Sequence, residues 1–233
     1  MKYFFVVSYF FVRIGYGKIS IIQVLFTVAG IANGEYKCSQ KPGIDDELRE
    51  SFVETHNGYR SLLAKGRAFM QDYADSLPAS KMRSLRDLLN QVYDCAAEDS
   101  AYESAKKCST TASSTSNYNE NLYVFEDEDG VGASPIVEAV NSWTSEALDL
   151  DQAATKNLYR SSYKISNFAN VARDTTEKVG CAVVKCGSKT HLVCHYSPKV
   201  EAEGKPIYEQ GEPCSRCSAY GSSSCEEGLC VAN

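Results

Sequence analysis

The sequence lacks any concentration of positive charge, and this absence restricts what it binds. Its 233 residues contain 24 lysines and arginines against 30 aspartates and glutamates, which gives a formal net charge of -6. Nucleic-acid-binding proteins present clustered lysine and arginine along one face. Because no basic stripe runs along any segment of this chain, the sequence predicts no nucleic-acid partner.

Several short motifs are missing as well. No Gly-x-Ser-x-Gly stretch is present, so a hydrolase with a serine nucleophile on an elbow turn has no support. No Asn-x-Ser or Asn-x-Thr acceptor occurs, and N-linked glycan is therefore not expected. Strands do not alternate with helices in a βαβ pattern, which argues against a doubly wound parallel sheet.

Residues 1–34 differ from the remainder of the chain because they are apolar and carry few charges. The uncharged run at residues 19–31 is long enough for a signal-peptide core but short for a membrane span. Ala32 and Gly34 suit the -3 and -1 positions of a cleavage site. We predict a signal peptide over 1–34; an uncleaved anchor and an upstream extension of the reading frame are the alternatives.

All ten cysteines follow that segment, and an even count in a secreted chain predicts five disulfides. They are Cys38, Cys95, Cys108, Cys181, Cys186, Cys194, Cys214, Cys217, Cys225 and Cys230. The last four begin with a Cys-x-x-Cys pair, a spacing used for zinc, for redox chemistry and for disulfides. An oxidising export route favours disulfides for these four, while about 945 pairings of the ten remain open by simple counting.

Hydrophobic periodicity predicts helices first and strands later. Helical spacing covers residues 44–65 and 84–107, and His56 lies on the apolar face of the first helix, where it should point inward or into a cleft floor. A third helix opens at Ser134-Pro135 with Trp143 and Leu148 among its inward residues. Residues 180–186 and 191–196 predict a hairpin, and 123–125 a further strand. This order predicts the α+β class, with helices layered over an antiparallel sheet.

Five stretches occur in an order that is typical of one family. They are Thr55-His56-Asn57-x-x-Arg60, Asn119-Glu120-Asn121-Leu122-Tyr123, Trp143-Thr144-Ser145-Glu146, Leu192-Val193-Cys194-His195-Tyr196-Ser197-Pro198 and the ending that runs from Ile207 to Cys217. This set resembles the CAP family of cysteine-rich secretory proteins, antigen 5 and plant pathogenesis-related proteins of class 1. The ending resembles the secreted venom-allergen-like proteins of parasitic nematodes.

The resemblance covers residues 44–233 and implies the CAP fold, an α-β-α sandwich with a central cleft. We expect the CAP domain over 35–205 and a small disulfide-rich C-terminal extension over 206–233. The extension has too few apolar residues for a core of its own, so its cysteines must hold it.

The resemblance also implies two histidines and two glutamates in the cleft. His56 matches the first histidine, Glu120 the glutamate of the Gly-Glu-Asn motif, and Glu146 the second glutamate. Asn167 stands where the second histidine is expected, and Arg173 where the family usually has tryptophan. In family members that bind zinc in the cleft, the two imidazoles are the ligands.

The missing histidine argues against a metal and against catalysis. An asparagine amide is a poor zinc ligand, so no metal or other cofactor is expected. His191 and His195 are predicted to be ordinary turn or strand residues, and His195 must face away from its neighbour Cys194. No catalytic residue is assigned, because His56, Glu120 and Glu146 are best interpreted as a hydrogen-bonded polar cluster.

The resemblance implies a secreted, extracellular protein. The leading hypothesis is a protein that binds a host protein or cell-surface receptor and modulates host immune or haemostatic cells. Some relatives block integrins, which makes an integrin a candidate, although this chain has no Arg-Gly-Asp. The loops at residues 109–117 and 126–132 are candidate recognition surfaces. A carrier of sterol or fatty acid is the alternative, and a metal-dependent hydrolase is the least favoured hypothesis.

Overall fold

The computed structural model describes Tyr36 and residues 38–85, 93–126, 135–221 and 224–231, together with the backbone of two strands at 5–13 and 19–27. The chain divides into two compact units, Met1–Glu35 and Tyr36–Asn233. In the first unit, β1 (Phe5–Arg13) pairs antiparallel with β2 (Ile19–Thr27). That residues 1–34 form a removable signal stays a prediction. None of the helices in the described part has the length and apolarity needed to cross a membrane.

The first helix of the second unit, α1 (Asp46–Ala64), confirms the helix predicted from residues 44–65. Asp45 caps its N-terminus by accepting a hydrogen bond from the Leu48 backbone N–H at 2.8 Å. Gly66 follows its end with φ +66°, a left-handed conformation that glycine adopts without strain. One face of α1 is buried, and it carries Phe52, His56 and Leu63 among other residues.

The second helix is shorter than predicted: α2 covers Cys95–Ala105, whereas the apolar spacing suggested 84–107. Its start is fixed by Asp94, whose carboxylate accepts hydrogen bonds from the backbone N–H groups of Ala96 and Ala97. Tyr93 forms an isolated bridge with Val179 instead of a helical turn. Asparagine, aspartate and serine caps stop helix propagation toward the N-terminus, so Asp94 rather than the apolar period sets the boundary.

The sheet has three antiparallel strands in the order β3–β5–β4. The strands are β3 (Asn119–Phe125), β4 (Lys178–Cys186) and β5 (Lys189–Ser197). Strands β4 and β5 form the predicted hairpin, and β3 confirms and extends the predicted strand at 123–125. The short connection between β4 and β5 contains Gly187 at φ +65°, as a tight hairpin turn requires.

The described part of the second unit contains three more helices: α3 (Pro135–Ser145), α4 (Gln152–Thr155) and α5 (Ser166–Ala172). Helix α3 begins at the predicted Pro135, while Ser134 lies outside the described residues. Trp143 of α3 points inward, as predicted. Leu148 does not, because the chain passes into a 3-10 turn at Glu146–Asp149, which leaves Leu148 39% exposed.

These elements form an α-β-α sandwich, which confirms the predicted fold class. Helix α2 packs on one face of the sheet, and α1, α3 and α5 pack on the other. The larger core lies on the second side and contains Trp143, Phe168 and Tyr196. The Arg49 guanidinium of α1 connects the two helical layers, because it donates to both carboxylate oxygens of Glu98 on α2 at 2.7 and 2.9 Å.

All ten cysteines are paired, which confirms the prediction of five disulfides. The pairs are Cys38–Cys95, Cys108–Cys186, Cys181–Cys194, Cys214–Cys225 and Cys217–Cys230. The C-terminal four therefore link to one another, around the small ribbon of β6 (Ser224–Glu226) and β7 (Leu229–Val231). The division between residues 205 and 206 stays a prediction.

Candidate functional site

Helix α1 places His56 in the interior, where both ring nitrogens have protein partners. Nδ1 lies 2.7 Å from the Phe52 carbonyl oxygen and Nε2 lies 2.9 Å from the Tyr196 hydroxyl. Because a carbonyl oxygen only accepts, Nδ1 carries the proton and Nε2 accepts from Tyr196. Burial lowers the pKa of His56 to about 4, so the ring is neutral near pH 7. His56 thus has no free lone pair to offer a ligand.

The sheet separates the predicted cleft residues. In the antiparallel register, Glu120 lies opposite His195, and the next residue, Asn121, lies opposite Cys194. Paired residues share a face and neighbours along a strand alternate. The Glu120 side chain therefore faces α2, whereas Asn121 faces the layer of α1, α3 and α5, where His56 lies.

On the α2 face, the Glu120 carboxylate gathers three hydrogen bonds. It accepts from Ser104 Oγ at 2.5 Å, from the Ser113 backbone N–H at 2.6 Å and from His195 Nε2 at 2.8 Å. Burial acts to raise the pKa of Glu120, but these hydrogen bonds from His195, Ser104 and Ser113 outweigh it and lower that pKa. Glu120 thereby fastens the loop at residues 109–117 to the sheet.

On the opposite face, Glu146 and Asn167 are in direct contact. Asn167 Nδ2 donates to one Glu146 oxygen at 2.7 Å, and the Phe168 backbone N–H donates to the other at 2.9 Å. The carboxylate thus satisfies the N-terminus of α5, whose own preceding residue makes no side-chain cap. Burial outweighs these bonds and raises the pKa of Glu146.

Asn121 joins this pair to His56. Its amide nitrogen donates to the Asn167 carbonyl oxygen at 3.0 Å and to the Tyr196 hydroxyl at 3.2 Å. The Asn170 side-chain amide donates to Asn121 Oδ1 at 2.9 Å, so both polar atoms of the Asn121 side chain are hydrogen-bonded. A continuous polar network therefore runs from Glu146 through Asn167, Asn121 and Tyr196 to His56.

Of the four residues predicted to share the cleft, the network contains His56, Glu146 and Asn167 but not the Glu120 side chain. Sequence reasoning missed Asn121 and Tyr196 as its connecting members. It also missed His195, which is fully buried against Glu120 and stacked on Tyr118 with ring centroids 5.3 Å apart. Strand register would have paired Glu120 with His195, but register is a tertiary property that the sequence pattern leaves open.

A disulfide-bonded α-β-α sandwich that carries these motifs in this order is typical of CAP domains. Comparison of the sequence with protein-family models gives the same class. Residues 53–196 match the model of CAP, the cysteine-rich secretory protein family. The chain therefore belongs to the CAP family.

Two nematode proteins of the same species are similar to this chain. It is 41% identical to "Hookworm platelet inhibitor 1" of Ancylostoma caninum over 222 residues, which cover 92% of this chain and 99% of that protein. It is 32% identical to "Ancylostoma secreted protein" of Ancylostoma caninum over 207 residues, covering 84% of this chain but only 47% of that longer protein. Among solved structures, the crystal structure of hookworm platelet inhibitor superposes with a TM-score of 0.67, covering 84% of this chain and 96% of that chain.

Another solved structure, of NaASP2 with Zn2+, is 30% identical and superposes with a TM-score of 0.71, covering 83% of this chain and all of that one. The residues of the present cleft do not fit such an ion. Both nitrogens of His56 are engaged, and the Asn167 amide donates to Glu146. Within the described residues, the one group of three potential ligands is Cys214, Cys217 and Cys230, whose sulfurs are held in disulfides.

Proposed function

We propose that this chain is a secreted, extracellular binding protein that modulates host haemostatic or immune cells by binding a host protein or cell-surface receptor. The observation that carries the proposal is the 41% identity to a protein named as a platelet inhibitor, over 92% of this chain and 99% of that protein. An alignment that spans both chains almost completely favours a shared mode of action more strongly than a shared fold does.

The geometry of the cleft supports binding rather than catalysis. His56 is buried and neutral, and Glu120 and Glu146 each accept hydrogen bonds from protein groups. A general base needs an accepting atom within reach of a substrate proton, whereas both ring nitrogens of His56 and both oxygens of each carboxylate already have a protein partner. We therefore infer that the polar network fixes the layers of the fold and that the protein is not an enzyme.

Export is supported by the cysteines. All ten are paired, and disulfides form and persist in oxidising compartments. Secretion from eukaryotic cells that express the full chain is the direct test of the signal prediction. The expected secreted product begins at Glu35, which N-terminal sequencing of the purified protein determines.

The haemostatic role is tested with the secreted product on washed mammalian platelets. We expect a dose-dependent inhibition of aggregation and of adhesion, measured by light transmission and by counting bound cells. Reduced and alkylated protein is the control, because it keeps the composition but loses the disulfide-held fold. No effect on platelets, and none on leukocyte adhesion in a parallel assay, would contradict the proposal.

The inference that the protein is not an enzyme is tested with the variants Glu146→Gln and Glu120→Gln. Each glutamine keeps one accepting oxygen but turns an N–H group toward a donor that the second carboxylate oxygen satisfied. Each variant is therefore expected to be less stable, and it is assayed at a temperature where circular dichroism shows that it is folded, so that only the acid or base function is lost. A catalytic carboxylate contributes typically 10²–10⁴-fold to a rate, whereas a binding protein that remains folded keeps its inhibitory dose within about two-fold. A large loss in either folded variant would show that the inhibition depends on catalysis.

A further inference from the structure

Tyr73 combines two unusual properties in one residue. It is 61% exposed, the highest value among the exposed large hydrophobic residues of the described part. Its backbone lies at φ 57° and that of the preceding Asp72 at φ 55°. Left-handed conformations are unfavourable for residues with a Cβ and rare for bulky ones, and Tyr73 is the one aromatic residue at positive φ in the described chain.

Local hydrogen bonds hold this conformation, so the exposed ring is positioned rather than loosely attached. The Met70 backbone N–H donates to the Ala74 carbonyl at 2.8 Å, and the Tyr73 N–H donates back to the Met70 carbonyl at 3.0 Å. Phe69 and Asp75 close the turn as an antiparallel bridge. Backbone strain that its surroundings maintain is concentrated at functional sites.

The tip segment, defined as residues 69–75, presents a small apolar surface. The Tyr73 ring meets the Phe69 ring edge-on at a centroid distance of 6.1 Å. The 3-10 turn Gln71–Tyr73 packs against the 3-10 turn Glu146–Asp149, which carries the exposed Leu148. Tyrosine at the centre of an exposed apolar patch is typical of protein interfaces.

Acidic side chains lie in these two turns and directly beside them. Asp72, Asp75 and Asp149 are exposed, and none of them forms an ion pair with another residue of the described chain. Charges that have no internal partner are available to a binding surface of opposite sign. Anionic lipid, in contrast, would be repelled.

We propose that the tip segment is a protein-docking element that inserts Tyr73 into an apolar socket bordered by lysine or arginine side chains on a host protein. This inference rests on the proposed function, since it names the surface through which a host protein is bound. Asp72, Asp75 and Asp149 provide the complementary charge, and the strained turn keeps the ring oriented before the partner arrives. Preorganisation of this kind reduces the entropy lost on binding.

Tyr73→Gly separates a binding role from a structural one. Glycine adopts φ 57° without strain, so the variant should melt roughly 2–4 °C higher than the wild type. The same variant should lose at least about 30-fold in affinity, as an interface hot spot does. The affinity is measured by flow cytometry of fluorescently labelled protein on washed platelets.

Tyr163→Gly is the matched control, because Tyr163 is 37% exposed but its backbone is not at positive φ. It should melt lower than the wild type and bind platelets equally well. Tyr73→Asn tolerates the left-handed backbone and should also lose binding, which excludes an effect of added flexibility. Asp75→Asn with Asp149→Asn should slow association and weaken its dependence on salt.

The outcomes separate the two proposals. If the wild type inhibits and binds platelets and Tyr73→Gly does so equally, the docking assignment is wrong while the proposed function stands. If the wild type has no effect on platelets or leukocytes, the proposed function falls and the docking assignment falls with it. Tyr73-dependent binding to phosphatidylcholine vesicles as strong as that to platelets would show that the ring inserts into lipid, and would overturn the protein-docking assignment.

Discussion

His56 and Arg60 lie one turn apart on α1, and both side chains are completely buried. Arg60 donates to the carbonyl oxygens of Arg83, Val171 and Arg173 at 2.7–2.9 Å, and burial lowers its pKa to about 10. Its charge is therefore retained near neutral pH and solvated by backbone carbonyls. His56 avoids the free-energy cost of burying a charge because its ring stays neutral. Of these two buried residues, His56 is therefore the one whose protonation makes stability depend on acidic pH.

Stability should fall on acidification because of His56. Its pKa is about 4 in the folded protein, against 6.5 for a histidine exposed to water in an unfolded chain. Below pH 6.5 the unfolded chain binds a proton that the folded chain does not, so stability falls until the pH reaches the folded pKa. Over this window the loss is about 3 kcal/mol, which denaturant unfolding at a series of pH values measures.

The variant His56→Gln isolates this contribution, since carboxylates also titrate as the pH falls. Glutamine is uncharged at every pH yet can donate to the Phe52 carbonyl and accept from the Tyr196 hydroxyl. The difference in unfolding free energy between wild type and variant should therefore change between pH 6.5 and 4. A difference that stays constant with pH would show that His56 protonates with equal ease in both states.

Single residues also show where sequence reasoning succeeds. The inward position of His56 follows from its place on the apolar face of α1, and the structure confirms it. The partners of Glu120 could not be predicted, because Ser104, Ser113 and His195 come from three separate segments. Periodicity assigns a residue to a face, while contacts across elements depend on register and packing.

Gly180 controls how closely α2 approaches the sheet. A Cβ at this position would lie 2.3 Å from the Glu98 backbone nitrogen and 2.4 Å from the Asp94 carbonyl oxygen. Glycine is required here because the first turn of α2 rests directly on β4. The contact also places Glu98 where Arg49 reaches it.

Gly180→Ala should therefore displace α2 and lower the free energy of unfolding by roughly 1–3 kcal/mol or more. The clash is with backbone atoms, so no side-chain rotation relieves it. Gly187→Asn is the control: no atom lies within 4 Å of its added Cβ, and asparagine tolerates the left-handed turn. Equal unfolding midpoints in urea for Gly180→Ala and the wild type would contradict the close packing.

Among the elements, local signals predicted α1, the start of α3 and the β4–β5 hairpin. The start of α2 was wrong by eleven residues because apolar spacing continues upstream of the cap at Asp94. The prediction that Leu148 points inward was wrong because the helical period was extended past Ser145, where α3 ends and a 3-10 turn begins. In both cases an element end, which depends on caps and tertiary bridges, was judged from periodicity alone.

For the molecule as a whole, the disulfides differ in what they stabilise. Cys214–Cys225 closes a separation of 11 residues in the C-terminal extension, and Cys181–Cys194 closes a separation of 13 across the buried hairpin. Loop entropy alone gives each about 3 kcal/mol. Cys181 and Cys194 are fully buried in the core, however, whereas Cys225 is exposed.

Replacing both members of each pair by alanine should reveal this difference. The variant without Cys214–Cys225 should lose about 3 kcal/mol of unfolding free energy, and the variant without Cys181–Cys194 should lose more, because removing buried sulfur leaves a cavity. Guanidinium unfolding under non-reducing conditions measures both. Equal losses of unfolding free energy would show that the core around β4 and β5 fills the space of the removed sulfurs without destabilising the fold.

The overall architecture was accessible from the sequence through the ordered motifs, and the even cysteine count gave the number of cross-links. Their pairing was not accessible, since it depends on which segments the fold brings together. Cys38 meets Cys95 only because the segment before α1 passes the start of α2. Burial of Ile207 and Tyr208 in the main core, likewise, could not be predicted from their place in a polar extension.

The pattern of linked cysteines determines what a single proteolytic nick would release. A cut between residues 38 and 95, 108 and 186, 181 and 194 or 214 and 230 leaves both fragments covalently attached. Between Cys38 and Cys230, two stretches are not spanned by a disulfide. One of them is almost entirely α2, whose helical backbone resists proteases. The stretch from Cys194 to Cys214 is the other, and its exposed residues 203–206 are where one severed peptide bond would free the C-terminal portion of the chain.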